Sequence, residues 1–587
     1  MHPLISNLFF LFRVVFKDHK RALCLLIILS CCVGIIDLVG VASIMPVVAI
    51  LFNPADALDN FRSWTGLSLA VLNEHNISVY AIAIFIAVNL AAMILKLSYS
   101  YVSTFQSAEF VSSLGGRLYR GVLSQPIDSN IFADTSNISN TLNRGLHSLN
   151  YGIFLPFWIV IQCVFSSLLL LIFLYLAFSW HSFAIFAALG AVYAILVSAV
   201  KGQINRWSVK KIIAETHLTR IITESFRGLR DVKIANKENE QSEIVLKELT
   251  LSRKLEGRNF FLGGAPKLVI EPIGLIVLLV IANNTIQRHG DESTIMLIAA
   301  MAFSFHKLIP LLHQIYNGIV SISGSGKYVE SVVKYLTLSM RKTSPTGDLL
   351  HFKKRITLVN VNYKFADSNS NLYRGFNLDI PRGARLGIIG DSGAGKSTLA
   401  DLLAGLRAPS SGDILIDGIR LTDRNLNSWY KCVAMVPQKP FITQASVRDN
   451  VVFGASEQPD DARVLECLRL VGFAGGIDSL RGQSLLELLI EEDGRNLSGG
   501  QAQRIVFARA LYKSCELLIL DEYTSSLDIE TEASLVDCIS ALPASVAIIA
   551  ISHRHKALRF SDTIFSLESG ELRKIGSFSD LIASRGG

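Results

Sequence analysis

Residues 390–398 read GDSGAGKST, and this stretch decides the fold of the C-terminal half of the chain. The spacing G-x-x-x-x-G-K-S is that of a phosphate-binding loop. Its glycines let backbone amides approach phosphate oxygens closely, and Lys396 adds a positive charge for the outer phosphates. Ser397 offers a hydroxyl to Mg²⁺. An apolar run at residues 385–389 and a helical pattern after the loop predict the order strand, loop, helix, with the positive helix end facing the anion.

The 587 residues fall into two unlike parts. Up to about residue 320, long apolar runs dominate. After about residue 340, the charge density is that of a soluble domain. A chain of this length predicts two or three folding units. The formal net charge of +7 raises nucleic acid as a possible partner, but the placement of the basic residues argues against it.

The eight cysteines are scattered along the chain. They form no Cys-x-x-Cys pair and no Cys/His cluster in the sequence, so neither a metal site nor a disulfide framework is indicated. Reduced cysteines fit a cytoplasmic soluble half.

Six apolar runs are long enough to cross a bilayer. They are residues 22–52, 79–111, 151–178, 183–209, 260–282 and 294–322. Residues 1–20 are too short to span and lack a small-residue cleavage site, which favours an interfacial helix over a signal peptide. The sequence therefore predicts an all-α transmembrane domain of six helices over residues 21–335.

Basic residues distinguish the two sides of the membrane. The links at residues 53–76 and 283–293 are mainly acidic, whereas residues 116–145 and 201–258 are rich in Arg and Lys. Positive loops mark the cytoplasmic side, so topology explains the net charge and the nucleic-acid interpretation loses its support. Turns at residues 125–128 and 226–231 are interpreted as docking surfaces for the C-terminal half, with plain solvated loops as the alternative.

The ionisable residues Asp37, Glu271, His306 and Lys307 lie well inside their apolar runs. An ionised side chain at the bilayer centre costs about 2.5–3.5 kcal/mol on insertion scales, so each is expected to face a cavity or a partner. One hypothesis is that Glu271 and Lys307 form an ion pair or border the translocation path. A purely structural pair, or snorkelling to water, is the alternative.

Residues 336–352 are rich in Ser, Thr, Pro and Gly at their centre, which predicts a linker to an α/β domain at residues 353–587. An aromatic residue in the first strand of this domain could stack on a purine. Phe365 is the first choice and Tyr363 the second, with ordinary strand packing as the alternative for either.

Polar residues follow several strands of the predicted domain. Asp521 and Glu522 end an apolar run, which places Asp521 near Mg²⁺ and lets Glu522 polarise the attacking water. Gln438 follows another strand and could reach Mg²⁺ or that water. His553 lies just past a further strand, where it could contact the γ-phosphate, although a lone histidine is more often structural.

Residues 497–501 read LSGGQ at the start of a strongly helical segment. A hydroxyl, flexible backbone amides and the helix dipole make a second anion-binding feature. One nucleotide does not need two such features from the same domain. The sequence therefore predicts that residues 497–501 complete the nucleotide site of a second copy.

This ordered set of motifs closely resembles the ATP-binding cassette of ABC transporters. Together with the six preceding spans, the resemblance covers essentially the whole chain, as a half-transporter of the exporter type. It implies a head-to-tail pair of cassettes with two ATP molecules, each lying between Lys396 of one copy and Ser498 of the other. ATP and Mg²⁺ are the expected cofactors. The expected catalytic residues are Glu522, His553 and Gln438, and the expected metal ligands are Ser397, Gln438 and Asp521. The expected ATP-binding residues are Phe365, Gly390, Asp391, Ser392, Gly393, Ala394, Gly395, Lys396, Ser397, Thr398, Ser498, Gly499, Gly500, Gln501 and Asp528.

Two residues depart from the family's usual pattern. Tyr523 stands where the family usually has alanine, and we expect it to be tolerated because both carboxylates remain. Phe365 replaces the usual tyrosine and can still stack.

Residues 36–46, 265–274 and 306–310 further resemble bacterial lipid-linked oligosaccharide flippases. Those proteins also have an amphipathic external segment after the first span, here residues 55–72. The resemblance implies a homodimer in a bacterial plasma membrane that moves a lipid-linked glycan outward, with a heterodimer left open. The alternatives are an exporter of peptide, lipid or drug, a non-transporting ATPase of the same cassette family, and an ATP-gated channel. The spans argue against the second, and the intact Glu522 and His553 argue against the third.

Overall fold

A computed structural model describes residues 3–52, 74–129, 135–177, 180–289, 292–339, 349–365, 370–455, 458–473, 485–525, 527–568 and 570–585. Contacts divide the chain into two units. The membrane unit comprises Met1–Gln125 and Ala133–Arg341, and the cassette unit comprises Pro126–Phe132 and Lys342–Gly587. The external segment expected at residues 55–72 lies outside the described residues.

The described part of the membrane unit is entirely helical. Its α-helices are α1 Pro3–Asp18, α2 Lys20–Ala42, α3 Ile44–Phe52, α4 Glu74–Leu123, α5 Thr135–Asn140, α6 Leu146–Leu149, α7 Leu155–Ala177, α8 Trp180–Arg227, α9 Leu229–Ile234, α10 Glu238–His289, α11 Glu292–Gly324 and α12 Gly326–Ser339. Wide π-helical turns at Thr141–Gly145 and Asn150–Phe154 link α5, α6 and α7.

Five helical segments of the described chain are long and apolar enough to cross a membrane. A further long helix, α11, contains the sixth apolar run. Helix α10 has 52 residues, which at 1.5 Å per residue is about 78 Å, far longer than a hydrocarbon core of about 30 Å. The longest helices therefore extend well beyond the lipid, as the polar sequences between the spans predict.

The cassette unit contains ten strands and shorter helices in its described part. The strands are β1 Arg355–Tyr363, β2 Tyr373–Pro381, β3 Arg385–Ile389, β4 Ser411–Ile416, β5 Ile419–Arg420, β6 Val433–Val436, β7 Leu517–Asp521, β8 Ala547–Ile551, β9 Thr563–Glu568 and β10 Glu571–Gly576. The α-helices are α13 Lys396–Ala404, α14 Leu426–Cys432, α15 Val447–Val451, α16 Asp461–Leu470, α17 Gly499–Tyr512, α18 Ile529–Ser540 and α19 Phe578–Arg585. The prediction of a helical membrane domain followed by an α/β domain is confirmed.

The described strands of the cassette form two sheets. An antiparallel sheet has the order β2-β1-β4-β5, and a six-stranded sheet has the order β10-β9-β3-β8-β7-β6. In the larger sheet β3 and β7 both run parallel to β8. Ile388 of β3 and Asp521 of β7 are each paired with Ile551 of β8. Since parallel strands end at the same edge, the residues that follow β3, β7 and β8 come together there.

Strands β7 and β8 are buried at every residue, as expected for parallel strands covered on both faces. Tyr523, just after β7, joins this core and is fully buried. Its hydroxyl donates to the Ala557 carbonyl at 2.8 Å, and its ring lies 6.4 Å from that of Phe507. The core therefore accommodates the tyrosine that replaces the family's usual alanine.

Tyr523→Phe should lower the thermal stability of the full chain, because it leaves a buried carbonyl without its donor. Such a loss costs about 1–3 kcal/mol. Tyr430→Phe is the matched control: it removes the same atom from a more exposed ring whose hydroxyl donates to the Gly405 carbonyl at 3.1 Å. Thermal melts should show a larger decrease in Tm for Tyr523→Phe than for Tyr430→Phe. Equal melting temperatures would show that the buried hydrogen bond contributes nothing.

Candidate functional site

The phosphate loop joins β3 to α13 in the predicted order. Gly395 precedes the helix with a φ of +104°, and a Cβ built on it would lie 2.8 Å from the Tyr373 hydroxyl oxygen. That hydroxyl donates to the Gly395 carbonyl at 2.6 Å. Only glycine fits this position without strain, because both the backbone conformation and the close approach exclude a side chain.

Lys396 is buried, and its ammonium group lies within the loop. The Lys396 Nζ donates to the carbonyl oxygens of Gly390 at 2.9 Å and Asp391 at 2.8 Å. Burial lowers the pKa of Lys396, and the carboxylates of Glu522 and Asp521 oppose this shift. The loop therefore positions the positive charge of Lys396 where it can contact the outer phosphates of a nucleotide.

Asp521 ends β7 and is buried. Burial raises the pKa of its carboxyl group, and a hydrogen bond with the Ser397 side chain opposes that shift. Its Oδ1 has no hydrogen-bond partner among the residues that the structure describes. A carboxylate oxygen that lacks a partner beside a hydroxyl suits Mg²⁺, which prefers oxygen ligands, so Ser397 and Asp521 fit the expected metal.

The three expected catalytic residues lie together. The Gln438 amide nitrogen donates to Glu522 Oε2, and His553 Nε2 lies 3.2 Å from Glu522 Oε1. Glu522 has a φ of +46°, and its backbone N–H donates to the Ile551 carbonyl at 2.9 Å. Such a conformation costs a residue other than glycine about 1–3 kcal/mol, so the strand pairing holds Glu522 in a strained position that the sequence does not reveal.

Ser498 begins α17. Its hydroxyl oxygen accepts from the Gln501 N–H at 3.2 Å, and the Gln501 side-chain oxygen accepts from the Ser498 N–H at 2.8 Å. This capping box leaves Ser498 and Gly499 exposed. Within the described chain, no hydrogen bond joins residues 498–501 to the phosphate loop. The two anion-binding features are therefore not linked by such a bond within one copy.

Asp528 caps α18. Its carboxylate accepts hydrogen bonds from the Thr531 N–H and the Thr531 hydroxyl, both at 2.9 Å, and these bonds lower its pKa. The Asp528 side chain thus caps the N-terminus of α18. Its contact with ATP stays a prediction.

The two candidate aromatic residues differ in exposure. Tyr363 is 2 % exposed, and its hydroxyl donates to Asp128 Oδ2 at 2.8 Å. Phe365 is 39 % exposed and packs edge-on against Tyr363, with ring centroids 5.3 Å apart. Of the two, Phe365 is therefore the residue whose ring face a purine could reach.

Arg407 also lies in this region, although no motif in the sequence marks it. Its Nε lies 2.7 Å from Asp401 Oδ2, its Nη1 donates to the Tyr363 hydroxyl at 2.8 Å, and it forms an ion pair with Asp128. Its guanidinium carbon lies 5.4 Å from the Phe365 ring centroid. Asp128 belongs to the turn predicted at residues 125–128, and this part of the turn is grouped with the cassette.

The membrane unit holds a charged cavity of about 180 Å³ between α2, α4, α7 and α11. Asp37, Lys96 and Lys307 line it, and the Lys96 Nζ lies 2.5 Å from Asp37 Oδ1. Among the described residues Glu271 and Lys307 form no ion pair, so the structure gives Asp37 rather than Glu271 a basic partner. Lys96 is the lone Lys or Arg of the second apolar run, and this position is the signal in the sequence that marks it as a partner for Asp37.

Known families match both units of the chain. The ABC transporter family matches residues 373–525, and the ABC transporter transmembrane region family matches residues 23–287.

Similar proteins match along most of the chain. The heterocyst differentiation ATP-binding protein HepA of Nostoc sp. is 26% identical over 97% of this chain and 93% of its own. An ATP-dependent lipid A-core flippase of Pseudoalteromonas translucida is 26% identical over 88% and 89%. The β-(1→2)glucan export ATP-binding/permease protein NdvA of Agrobacterium fabrum is 28% identical over 79% of both chains.

A solved structure shares the fold. A bacterial Atm1-family ABC exporter with ATP bound superposes with a TM-score of 0.79 at 19% identity, over 97% of both chains. The transmembrane helices, the phosphate loop and these matches lead to one conclusion. The chain belongs to the ABC transporter family, as a multi-pass exporter half-transporter whose transmembrane region is fused to a domain that binds ATP and couples its hydrolysis to transport.

Proposed function

We propose that two copies of this chain form a flippase in a bacterial inner membrane, with the cassettes in the cytoplasm, that moves a lipid-linked oligosaccharide or related glycolipid outward. The observation that carries the choice of cargo is the charged cavity of the membrane unit. One relative is named for a lipid and another for a glucan, and a lipid-linked glycan combines both. An exporter of peptide, another lipid or a drug is the second candidate.

The cavity favours an anionic group. The Asp37–Lys96 ion pair is neutral as a whole, whereas Lys307 adds a positive charge to the same cavity. Charges interact strongly where water is scarce, so this excess charge attracts an anion. A volume of about 180 Å³ suits a phosphate or diphosphate but not a whole glycan. The cavity would thus hold the linkage between glycan and lipid.

The nucleotide would lie between two copies. Lys396 of one cassette would meet the phosphates, and Ser498 of the other would close the site. The exposed start of α17, which no hydrogen bond joins to the phosphate loop of its own chain, supports this arrangement. Phe365 would stack on the adenine.

Hydrolysis would use the residues around Glu522. The Glu522 carboxylate would polarise the attacking water, and Gln438 and His553 would hold that carboxylate in place. Ser397, Asp521 and the amide oxygen of Gln438 would hold Mg²⁺, which when bound neutralises charge on the phosphates.

Glu522→Gln should keep ATP binding and lose hydrolysis, because the amide keeps the shape of the side chain but cannot act as a base. General-base catalysis contributes about 10²–10⁴-fold, and we expect a loss of phosphate release in that range. Glu530→Gln, an exposed change in the first turn of α18, is the control. Lys396→Ala should instead abolish ATP binding. Wild-type turnover in Glu522→Gln would remove this role from Glu522.

Asp128→Asn should weaken the stimulation of ATP hydrolysis by cargo, because it removes one of the two carboxylates that pair with Arg407. Breaking a fully buried pair costs about 3–5 kcal/mol. The Arg407 and Asp128 side chains are 17% and 30% exposed, so their ion pair is weaker than a fully buried one. We therefore expect the stimulation of ATP hydrolysis to fall only about tenfold. Asp413→Asn, which breaks the exposed pair with Arg420, is the matched control.

The exchanged pair Asp128→Arg with Arg407→Asp separates charge from packing. Partial recovery of stimulation in the double variant supports an electrostatic link. If Asp128→Asn and Asp413→Asn behave alike, the ion pair at Asp128 has no part in coupling.

Reconstitution with labelled lipid-linked oligosaccharide tests the cargo directly. Wild-type protein with Mg-ATP should move the label across the bilayer, and Glu522→Gln should not. Lys307→Gln should reduce the rate about fivefold or more by removing the excess charge of the cavity. Lys327→Gln, on α12 and outside the cavity, is the control. Movement of a drug or peptide in the absence of any lipid-linked oligosaccharide movement would favour the second candidate.

A further inference from the structure

Two potential metal ligands lie at the edge of the large sheet where β6 and β7 begin. Cys432 is the last residue of α14, immediately before β6, and Glu516 immediately precedes β7. The parallel pairing of Val433 with Leu517 places them side by side. The Glu516 N–H also donates to the Cys432 carbonyl at 2.7 Å. This edge is opposite the one at which Asp521 ends β7.

The segment at residues 350–352 crosses the same edge. Leu350 and Phe352 are fully buried, and the Phe352 N–H donates to Glu516 Oε2 at 2.5 Å. The Cys432 thiol donates to the Leu350 carbonyl at 3.4 Å. His351 lies between these anchored neighbours, and its Nδ1 is 3.5 Å from Glu516 Oε1. The backbone therefore presents an imidazole, a thiol and a carboxylate to one point.

The distances suit a tetrahedral cation after a small adjustment. One ligand atom from each of the three residues lies within 4.8 Å of the others. Ligands bound at about 2.0–2.3 Å in tetrahedral geometry lie roughly 3.3–3.7 Å apart. The imidazole–carboxylate separation already falls in this range. A shift of about 1 Å would bring the thiol into it, and the exposed His351 ring is free to follow.

We propose that His351, Cys432 and Glu516 bind a divalent cation of the Zn²⁺ class, with water as the fourth ligand. The cation would fasten residues 350–352 to the sheet edge where the chain passes into the cassette. A thiolate and an imidazole select Zn²⁺ over Mg²⁺, whereas the oxygen ligands at Ser397 and Asp521 select Mg²⁺. On binding, the sulfur–hydrogen bond of Cys432 breaks, a sulfur–metal bond forms and the proton passes to solvent.

The site is independent of the proposed cargo. It rests on the fold of the cassette alone, so a chain that moved a peptide or a drug could contain it equally well. Its ligands use none of the side chains assigned to ATP.

The test is metal binding by the full-length protein after chelator treatment. Zn²⁺ titrated against a chromophoric chelator should bind once per chain at this site. Co²⁺ in its place should give a thiolate charge-transfer band, which an all-oxygen site cannot give. His351→Ala and Cys432→Ser should each weaken binding more than about tenfold, since even indirect partners of metal ligands contribute 10–100-fold. Hydrogen exchange at residues 350–354 should slow with Zn²⁺ in wild type only.

Matched controls exclude nonspecific binding. Cys538→Ser and His555→Ala change the same residue types elsewhere in the cassette and should keep both affinity and the Co²⁺ band. Asp521→Asn removes a candidate metal ligand at the nucleotide edge of the sheet. Zn²⁺ that this variant still binds is therefore not bound through Asp521. Because His351 is exposed, His351→Ala tests the proposal even if Cys432→Ser fails to fold. Unchanged affinity in His351→Ala, a Co²⁺ thiolate band that survives in Cys432→Ser, or no stoichiometric binding by wild type would each overturn the proposal.

Discussion

The chemistry of the cassette depends on the parallel pairing of β3, β7 and β8. This pairing ends the three strands at one level, because Ile388 and Asp521 share Ile551 as their partner. The loop after β3 then supplies Lys396, and the turns after β7 and β8 supply Glu522 and His553. No single side chain could establish this arrangement. The Glu522 N–H donates to the Ile551 carbonyl, and this bond helps hold Glu522 in its strained backbone conformation. The sheet therefore sets the direction of the Glu522 carboxylate.

The parallel pairing of β6 with β7 gives the opposite edge of the same sheet a second group of ligands. At the beginnings of β6 and β7 the register brings Cys432 and Glu516 together, just as at the other end it positions Asp521 and Glu522. The two edges differ in their ligands. The candidate metal ligands are all oxygen atoms at one end, where phosphates and Mg²⁺ are expected, whereas a sulfur and a nitrogen join the Glu516 carboxylate at the other. If both proposals hold, one sheet would hold two kinds of cation and keep them apart by ligand chemistry.

The sequence predicted those parts of the site that local motifs encode. Residues 390–398 and the carboxylates at 521 and 522 follow apolar runs, and that context identifies the strand ends on which they lie. An Asp directly before a helical run predicts a helix cap, and Asp528 has this role in the structure. Its expected contact with ATP comes from the family resemblance alone. The partners of Arg407 were not readable, because Asp128, Tyr363 and Asp401 are far apart in the chain. The same holds for His351, Cys432 and Glu516, which no short motif joins.

Ionised groups in the membrane unit follow a different logic from those in the cassette. In lipid a charge must find a partner or water, and Asp37 finds Lys96 on the next helix of the cavity wall. Lys307 lies beside this pair and adds a further positive charge to the cavity. The Lys307 Nζ lies 5.6 Å from the Phe303 ring centroid, and under the proposed function an anionic group of the cargo would supply the opposite charge. The proposed cargo, with its anionic linkage, would differ in this respect from a neutral drug, which brings no charge to match Lys307.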